Sequence, residues 1–412
     1  MPSFPALQDQ YEASYSQVNW TVAIPALGLA FGPLIWSSLA EIYGRRIIFL
    51  IGTLMAFGAT IGAAKASSYG GYMAARFFQG LGVSPGATVG LAVINDMFFE
   101  HERGSKVGLW VLSIDSGLLV GPIFGGFLNI VSAAWIQWFT AILFGMLFVL
   151  EIAFMPETLY PRNRMLTDAS VANSSDEGPI DLEKAARRRS EASVSHLPRT
   201  KQLPFINIIK PVPGLKHPKP WDSIVRFVLT FKLAAVVVAV LSYCFLWYWW
   251  VLSVITMLPA AYANYSSVVQ GLFSIGLLLG TLFAEVLVGG KLSDVIVARL
   301  ARKNGGNRLA EMRLWLAYPA GLLTFIGLVV WGVSVDRGYH WIVGQVAFFL
   351  FAAGIQVGNT VICSYIVDAY PLQSMSVITF YSVFLNLSAF IDPVSALSYT
   401  SCGHNKLTRL FI

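Results

Sequence analysis

The sequence predicts an all-α membrane protein, a polytopic bundle of about ten transmembrane helices arranged as two parallel-repeat halves. Three observations carry this. Only 12% of the 412 residues are charged and 56% are hydrophobic, against roughly 25% charged in a soluble globular chain. The mean hydropathy is +0.64, and the apolar residues fall in successive stretches of about 20, the length that crosses a bilayer core. The basic residues alternate between the ends of those stretches, as loops on one side of a membrane do.

The spans follow in order at 18–40, 47–65, 72–95, 107–129 and 133–155, then at 229–253, 266–288, 314–334, 340–364 and 375–395. Many carry glycine at helical spacing, such as Gly52, Gly58 and Gly62. Small residues let membrane helices approach closely, so a packed bundle is expected. The first 17 residues are polar and lack a basic-then-apolar leader pattern. From 156 to 226 the composition changes: Ser174-Ser175-Asp176-Glu177, the run Arg187-Arg188-Arg189, and prolines at 204, 211, 213, 218 and 220. Such a segment buries too little apolar area to fold alone. It reads as a hydrophilic cytoplasmic linker between an N-terminal five-helix half (18–155) and a C-terminal five-helix half (227–395), followed by a polar tail (396–412).

Lysine and arginine set the orientation. The loops around Arg45 and Arg46, around Arg103 and Lys106, the linker, and loop 289–313 carry 22 of them, whereas the opposite loops carry only Lys65 and Arg337. The first set is expected in the cytoplasm, which places both termini outside. Two glycosylation patterns, at Asn19 and Asn264, fall on the expected outer side.

The halves repeat. Leu39, Glu41 and Arg46 recur as Leu292, Asp294 and Arg299, each 253 residues later. Asp96 is followed by Pro122 after 26 residues, and Asp368 by Pro393 after 25. Parallel halves related by an axis along the membrane normal are one of the symmetries by which transporters are built.

Four segments then resemble a known family, the major facilitator superfamily. Ser37-Ser38-Leu39-Ala40-Glu41-Ile42-Tyr43-Gly44-Arg45-Arg46 is similar to its first cytoplasmic motif, with Ser37 in place of glycine and Glu41 in place of aspartate. Arg76-Phe77-Phe78-Gln79-Gly80 matches its R-x-x-Q-G element. Gly117 through Gly121-Pro122 to Gly125-Gly126 matches the glycine–proline motif of its antiporter branches, and Pro156-Glu157-Thr158 matches the element after its sixth helix. The resemblance covers roughly 20–395. Later segments, Gly290-Lys291-Leu292-Ser293-Asp294 and Ile366-Val367-Asp368-Ala369-Tyr370, look like fungal drug/proton antiporters. Against the family's twelve helices the first and the last are missing, so a truncated transporter is implied. The resemblance implies proton-coupled transport, in the efflux direction, of small amphipathic organic molecules across the plasma membrane. Nutrient uptake, or a membrane protein that does not transport, remains as the alternative.

Each motif has a physical role to test. Glu41, Gly44, Arg45 and Arg46, with Asp294 and Arg299 in the second half, form an expected conformational latch at the cytoplasmic edge; plain topology-setting charge is the bland reading. Arg76 sits within an apolar helix, where an unpaired arginine costs on the order of 2.5–3.5 kcal/mol. With Gln79 it is a candidate for proton coupling or for lining the substrate cavity, unless it snorkels to the interface. Asp115 and Glu285 are intramembrane carboxyls and candidate proton carriers. Gly117, Gly121, Pro122, Gly125 and Gly126 form a candidate helix hinge. Trp247-Tyr248-Trp249-Trp250 reads as an interfacial aromatic belt, with Tyr243 and Tyr248 as candidate cavity-lining residues.

Enzymatic classes find no support. The five histidines, at 101, 196, 217, 340 and 404, lie in loops, linker or tail, and no hydrolytic or redox constellation surrounds them. The three cysteines, Cys244, Cys363 and Cys402, have neither metal nor disulfide-framework spacing. No metal, cofactor or nucleic acid is expected. The expected partners are the lipid bilayer, a small-molecule substrate and protons, with the chain acting as a monomer.

Overall fold

The computed structural model describes residues 4–98, 100–158, 218–262, 264–287, 290–307, 309–370 and 373–400. Among them there are helices and turns and no strands, and ten helical segments are long and apolar enough to span a membrane. A short helix α1 (Phe4–Tyr11) leads into α2 (Tyr15–Tyr43), α3 (Arg45–Lys65), α4 (Tyr69–Met97), α5 (Glu100–Leu128) and α6 (Ala133–Phe154). The second half opens with α7 (Asp222–Thr230). Its first span is assembled from α8 (Ala234–Ser242), a π-helical turn (Tyr243–Tyr248) and α9 (Trp249–Ala261). Then come α10 (Ser267–Leu272), α11 (Ser274–Leu287), α12 (Gly290–Lys303), a 3₁₀ turn (Ala310–Leu316) leading into α13 (Ala317–Asp336), α14 (Trp341–Ala369) and α15 (Ser374–Thr400).

Local sequence explains the starts. Ser14 caps α2 in a reciprocal capping box with Gln17, and the Ser68 and Ser132 hydroxyls accept from the first turns of α4 and α6. Within the N-terminal half α4 packs on both α2 and α3, and α6 on α3; within the second, α14 packs on α11 and α13. The halves meet along two seams, α2 against α15 and α5 against α10 and α11. Burial orders the helices from centre to rim: 83% of the apolar window of α14 is buried against 6% of that of α6. The outward residues of α6, such as Ile142, Met146 and Val149, are apolar and exposed, as a lipid-facing helix requires.

Several expectations shift. The boundary at 226/227 falls inside α7, which is wedged between α2 and α15, and α15 continues past 395 to Thr400. Most of the expected linker (159–217) and the tail beyond 400 lie outside the described residues. The aromatic run Trp247–Trp250 is no interfacial belt. The span begins at Ala234, so the run sits mid-helix, and the π turn carries Tyr243 and Cys244 into the core. Asn19 is a poor glycosylation acceptor, because it lies within α2 with 6% of its surface exposed, whereas Asn264 is exposed in a turn.

Candidate functional site

Two groups of polar residues stand out, one at the basic-loop end of the bundle and one inside it. At the basic end, Gly44 breaks the chain between α2 and α3 with φ +101° and ψ 161°, a conformation essentially confined to glycine. The turn presents the first backbone N–H groups of α3 to Glu157, whose carboxylate accepts from Arg45 N at 2.9 Å and Arg46 N at 3.2 Å. A carboxylate at a helix N-terminus satisfies orphan donors and complements the helix dipole. The Glu-Thr element after α6 is therefore the cap of α3. Arg45, buried, reaches Asp96 at 3.3 Å, and Arg46 donates to the Ile152 carbonyl at 2.8 Å. Glu41 neither caps α3 nor pairs with Arg45. It takes Arg226 of α7 at 2.7 Å, and beside it Ser38 bonds Ser223 at 2.5 Å and Ser37 bonds Thr379 of α15 at 2.6 Å. These contacts fasten the first half to the second across the α2–α15 seam.

The second half builds the matching arrangement with a different arginine. Arg313, buried within the 3₁₀ turn that leads into α13, bonds Asp294 at 3.0 Å and Asp368 at 2.6 Å. It also donates to Ser293 at 3.1 Å. Arg313 thus stands to Asp368 as Arg45 stands to Asp96. Arg299, the residue 253 positions after Arg46, is exposed on α12 and enters none of the ion pairs found among the described residues. Asp294 lies against the start of α5, where a Cβ on Gly104 would stand 2.3 Å from its Oδ1. Burial pushes the Asp294 carboxyl above the usual aspartate range, and the Arg313 guanidinium pulls it back. Both seams are thus closed at this end.

Inside the bundle the candidate residues divide into two clusters. Arg76 does not merely snorkel: it donates to the Thr21 carbonyl at 3.3 Å and to Gln79 Oε1 at 2.7 Å, and Gln79 passes the chain to Thr60 at 3.0 Å. This cluster ties α2, α3 and α4 together. The other cluster lies on the α5–α11 seam. Glu285, 6% exposed on α11, accepts from Gln356 at 2.9 Å and Thr360 at 2.8 Å, both on α14. Its Oε1 occupies the space where a Cβ on Gly108 of α5 would sit. Asp115 of α5 accepts from Asn359 of α14 at 3.2 Å, and Asn359 in turn accepts from the Tyr381 hydroxyl of α15. Tyr243 stacks on Tyr381, with ring centroids 6.4 Å apart, and neighbours Tyr248 at 6.1 Å.

The glycine–proline motif splits. Gly126 and the Pro122 carbonyl pack closely on α10, at Ser267 and Gly271, whereas Gly117 and Gly121 face no described neighbour within 4 Å. As a hinge it is therefore anchored only at its far end. Sequence reading missed Arg313, the partners Gln356 and Asn359, and Asp392, a buried carboxyl of α15 that accepts from Ser253 of α9. For Asp392 a signal was available, since a charge inside an apolar stretch must face a partner or a cavity.

Two bundles of five spans, joined by charged contacts at one end and holding buried carboxyls on their seam, are the architecture of a multi-pass membrane transporter. The chain belongs to the Major Facilitator Superfamily, whose sequence model matches residues 1–393. It is 29% identical to the "Probable efflux pump mfs2" of Aspergillus flavus over 98% of this chain and 90% of that protein. It is 26% identical to the "Efflux pump radE" of Floropilus chiversii over 98% of this chain and 71% of that one. In three dimensions it is similar to the xylose transporter XylE of E. coli in a partially occluded inward-open conformation, with TM-score 0.66 and 14% identity over 100% of this chain and 89% of that one.

Proposed function

We propose that this transporter exports small amphipathic organic molecules in exchange for protons, acting as a monomer in the plasma membrane. The efflux direction is supported by the names of its relatives. The observation that carries proton coupling is the setting of Glu285. Its carboxyl is held by two neutral donors of α14 while its oxygen is pressed against Gly108 of the opposite half. An acid of the neighbouring helix, Asp115, lies close enough to interact with it. A carboxyl in that position changes its surroundings whenever the seam opens, which is what coupling asks of its carrier. The Arg76–Gln79–Thr60 chain, confined to one half, serves to hold α4 in register. Asn264 is the proposed glycan acceptor.

The test is Glu285→Gln in proteoliposomes carrying a fluorescent amphipathic dye under an imposed pH gradient. Gradient-driven accumulation is expected to fall at least tenfold while exchange of dye at equal pH persists. Accumulation at the wild-type rate would remove Glu285 from coupling, and accumulation in the opposite direction would make the protein an uptake system.

The latch gives a smaller expectation. Glu41 and Arg226 are partly exposed, 21% and 37%, so their pair contributes about 0.5–1 kcal/mol, a roughly two- to fivefold bias between states. Glu41→Gln should slow turnover by that factor and leave dye affinity nearly unchanged. Arg226→Gln should do the same, and the double variant no more than either. Additive effects would show that the two residues act separately.

A further inference from the structure

At the basic end of the bundle α12 joins two spans, one ending at Val286 and the next beginning at Ala310. Its residues divide by face. At 3.6 residues per turn Ser293, Val297 and Ala301 fall on one side, and all three are buried. Val297 and Ala301 join Met312 of the following 3₁₀ turn in a small core, so α12 is packed against the start of the next span. Asp294, the acid of α12, projects beside them to reach Arg313. The opposite side carries Leu292, Val295, Arg299, Arg302 and Lys303, and every one of them is exposed. The chemistry changes along this face, from two apolar residues to three cations in the last turn and a half. The three cations enter none of the ion pairs found among the described residues. Nor does the rest of the sequence offer a counter-charge: 159–217 carries ten Lys and Arg against six Asp and Glu, and 401–412 carries two against none. Basic residues that only set topology need not share one face of a helix with exposed leucine and valine. The level of the membrane surface is marked nearby by Trp315 and Tyr318, 64% and 74% exposed with rings 6.0 Å apart at the start of the α13 span. Such amphipathic rings sit at the headgroups.

We propose that the exposed face of α12 binds an anionic phospholipid in the leaflet at the basic end, its headgroup on Arg299, Arg302 and Lys303 and its acyl chains against Leu292 and Val295. Lipid binding there needs no substrate, proton gradient or turnover, so it stands apart from the transport reaction. A helix with an apolar and a basic part on one face lies at the boundary between chains and headgroups. Each Lys or Arg held near an anionic surface favours association roughly fivefold. An arginine fork also takes two phosphate oxygens at once. A phosphatidylcholine headgroup sets its own cation beside the phosphate and gains little from three positive charges, whereas phosphatidylserine carries a net negative charge and gains from all three.

Native mass spectrometry of the detergent-solubilised full chain tests this, with dioleoylphosphatidylserine and dioleoylphosphatidylcholine titrated separately and the affinity of the first bound lipid measured. The serine lipid is expected to bind at least tenfold more tightly. The triple change Arg299→Gln, Arg302→Gln, Lys303→Gln should reduce that preference at least fivefold. The double change Arg299→Lys, Arg302→Lys keeps the charge and should retain most of it. Arg337→Gln removes an exposed cation at the other end of the bundle and should leave the preference unchanged. Thermal melting checks that each variant is folded. Glycerophosphoserine, the headgroup without its chains, should not displace the lipid at equal concentration. Equal binding of the two lipids by the native chain, or a preference unchanged in the triple variant, would overturn the proposal. So would a preference lost equally in Arg337→Gln, which would make it a matter of net charge. Displacement by glycerophosphoserine would overturn it too, by showing that the face takes a free anion rather than a membrane lipid.

Discussion

Arg313→Met is expected to destabilise the protein by about 3 kcal/mol, lowering the melting temperature of the detergent-solubilised chain by roughly 5 °C or more. The guanidinium is 5% exposed and lies between two carboxylates, Asp294 at 3.0 Å and Asp368 at 2.6 Å. Removing it leaves both acids facing one another at a site 22% exposed on either side. Breaking one partner of a buried pair costs more than the pair itself is worth, because the remaining charge stays desolvated. Here two charges remain. Arg313→Lys keeps one positive charge but cannot offer Nε to Asp368 and Nη1 to Asp294 together, so it should fall between Met and the native residue. The triple change Arg313→Met, Asp294→Asn, Asp368→Asn should recover much of the loss. Failure to recover would mean that packing of the side chain, rather than its charge, holds the start of α13.

That arginine shows where sequence reading stops. The repeat was legible because Glu41 and Asp294 end equivalent spans, and so was the bundle, whose ten spans follow from segment length and hydropathy alone. A fixed spacing of 253 then pointed to Arg299 as the partner of Arg46. The second half, however, inserts α12 between its acid and its next span. The equivalent basic residue therefore moves to the position that matters physically, the beginning of the membrane segment, as in Arg45. Position relative to the span carried the information, and distance along the chain did not. Glu157 was legible as part of a motif, but its role was not, because capping an N-terminus more than 100 residues away is a tertiary event. Asp115 and Glu285 could be singled out as charges inside apolar helices. Their partners Asn359 and Gln356 could not, since α14 offers many polar residues and only packing decides which of them face the seam. At Asn19 a three-residue acceptor pattern was outweighed by burial: a residue inside a packed helix cannot reach a glycosylating enzyme, whatever follows it.

The second large effect is expected at Gly44. With φ +101° and ψ 161° the residue occupies a region that L side chains rarely enter, and forcing one there costs of order 1–3 kcal/mol. The position is blocked as well, since a Cβ would stand 2.3 Å from the Glu157 carboxylate oxygen. Gly44→Ala must therefore twist the turn, push Glu157 off the N-terminus of α3, or both, and losing a cap costs about 0.5–2 kcal/mol more. The consequence reaches past stability. Arg45 follows directly on the turn, and its pairing with Asp96 depends on how α3 begins. Displacing the turn should loosen α3 from α4 at the basic end and shift the balance away from the closed latch. Gly44→Ala is accordingly expected to lower the melting temperature and to reduce turnover at least tenfold, more than Glu41→Gln does. Glu157→Gln provides the control. It keeps one acceptor oxygen but sets an NH2 where the second oxygen accepts from the other N–H, so it should cost the electrostatic part, about 0.3–1 kcal/mol, and one hydrogen bond, about 0.5–1.5 kcal/mol. If Gly44→Ala melts and transports like the native chain, the turn does not hold the latch, and Arg45 is positioned by α3 packing alone.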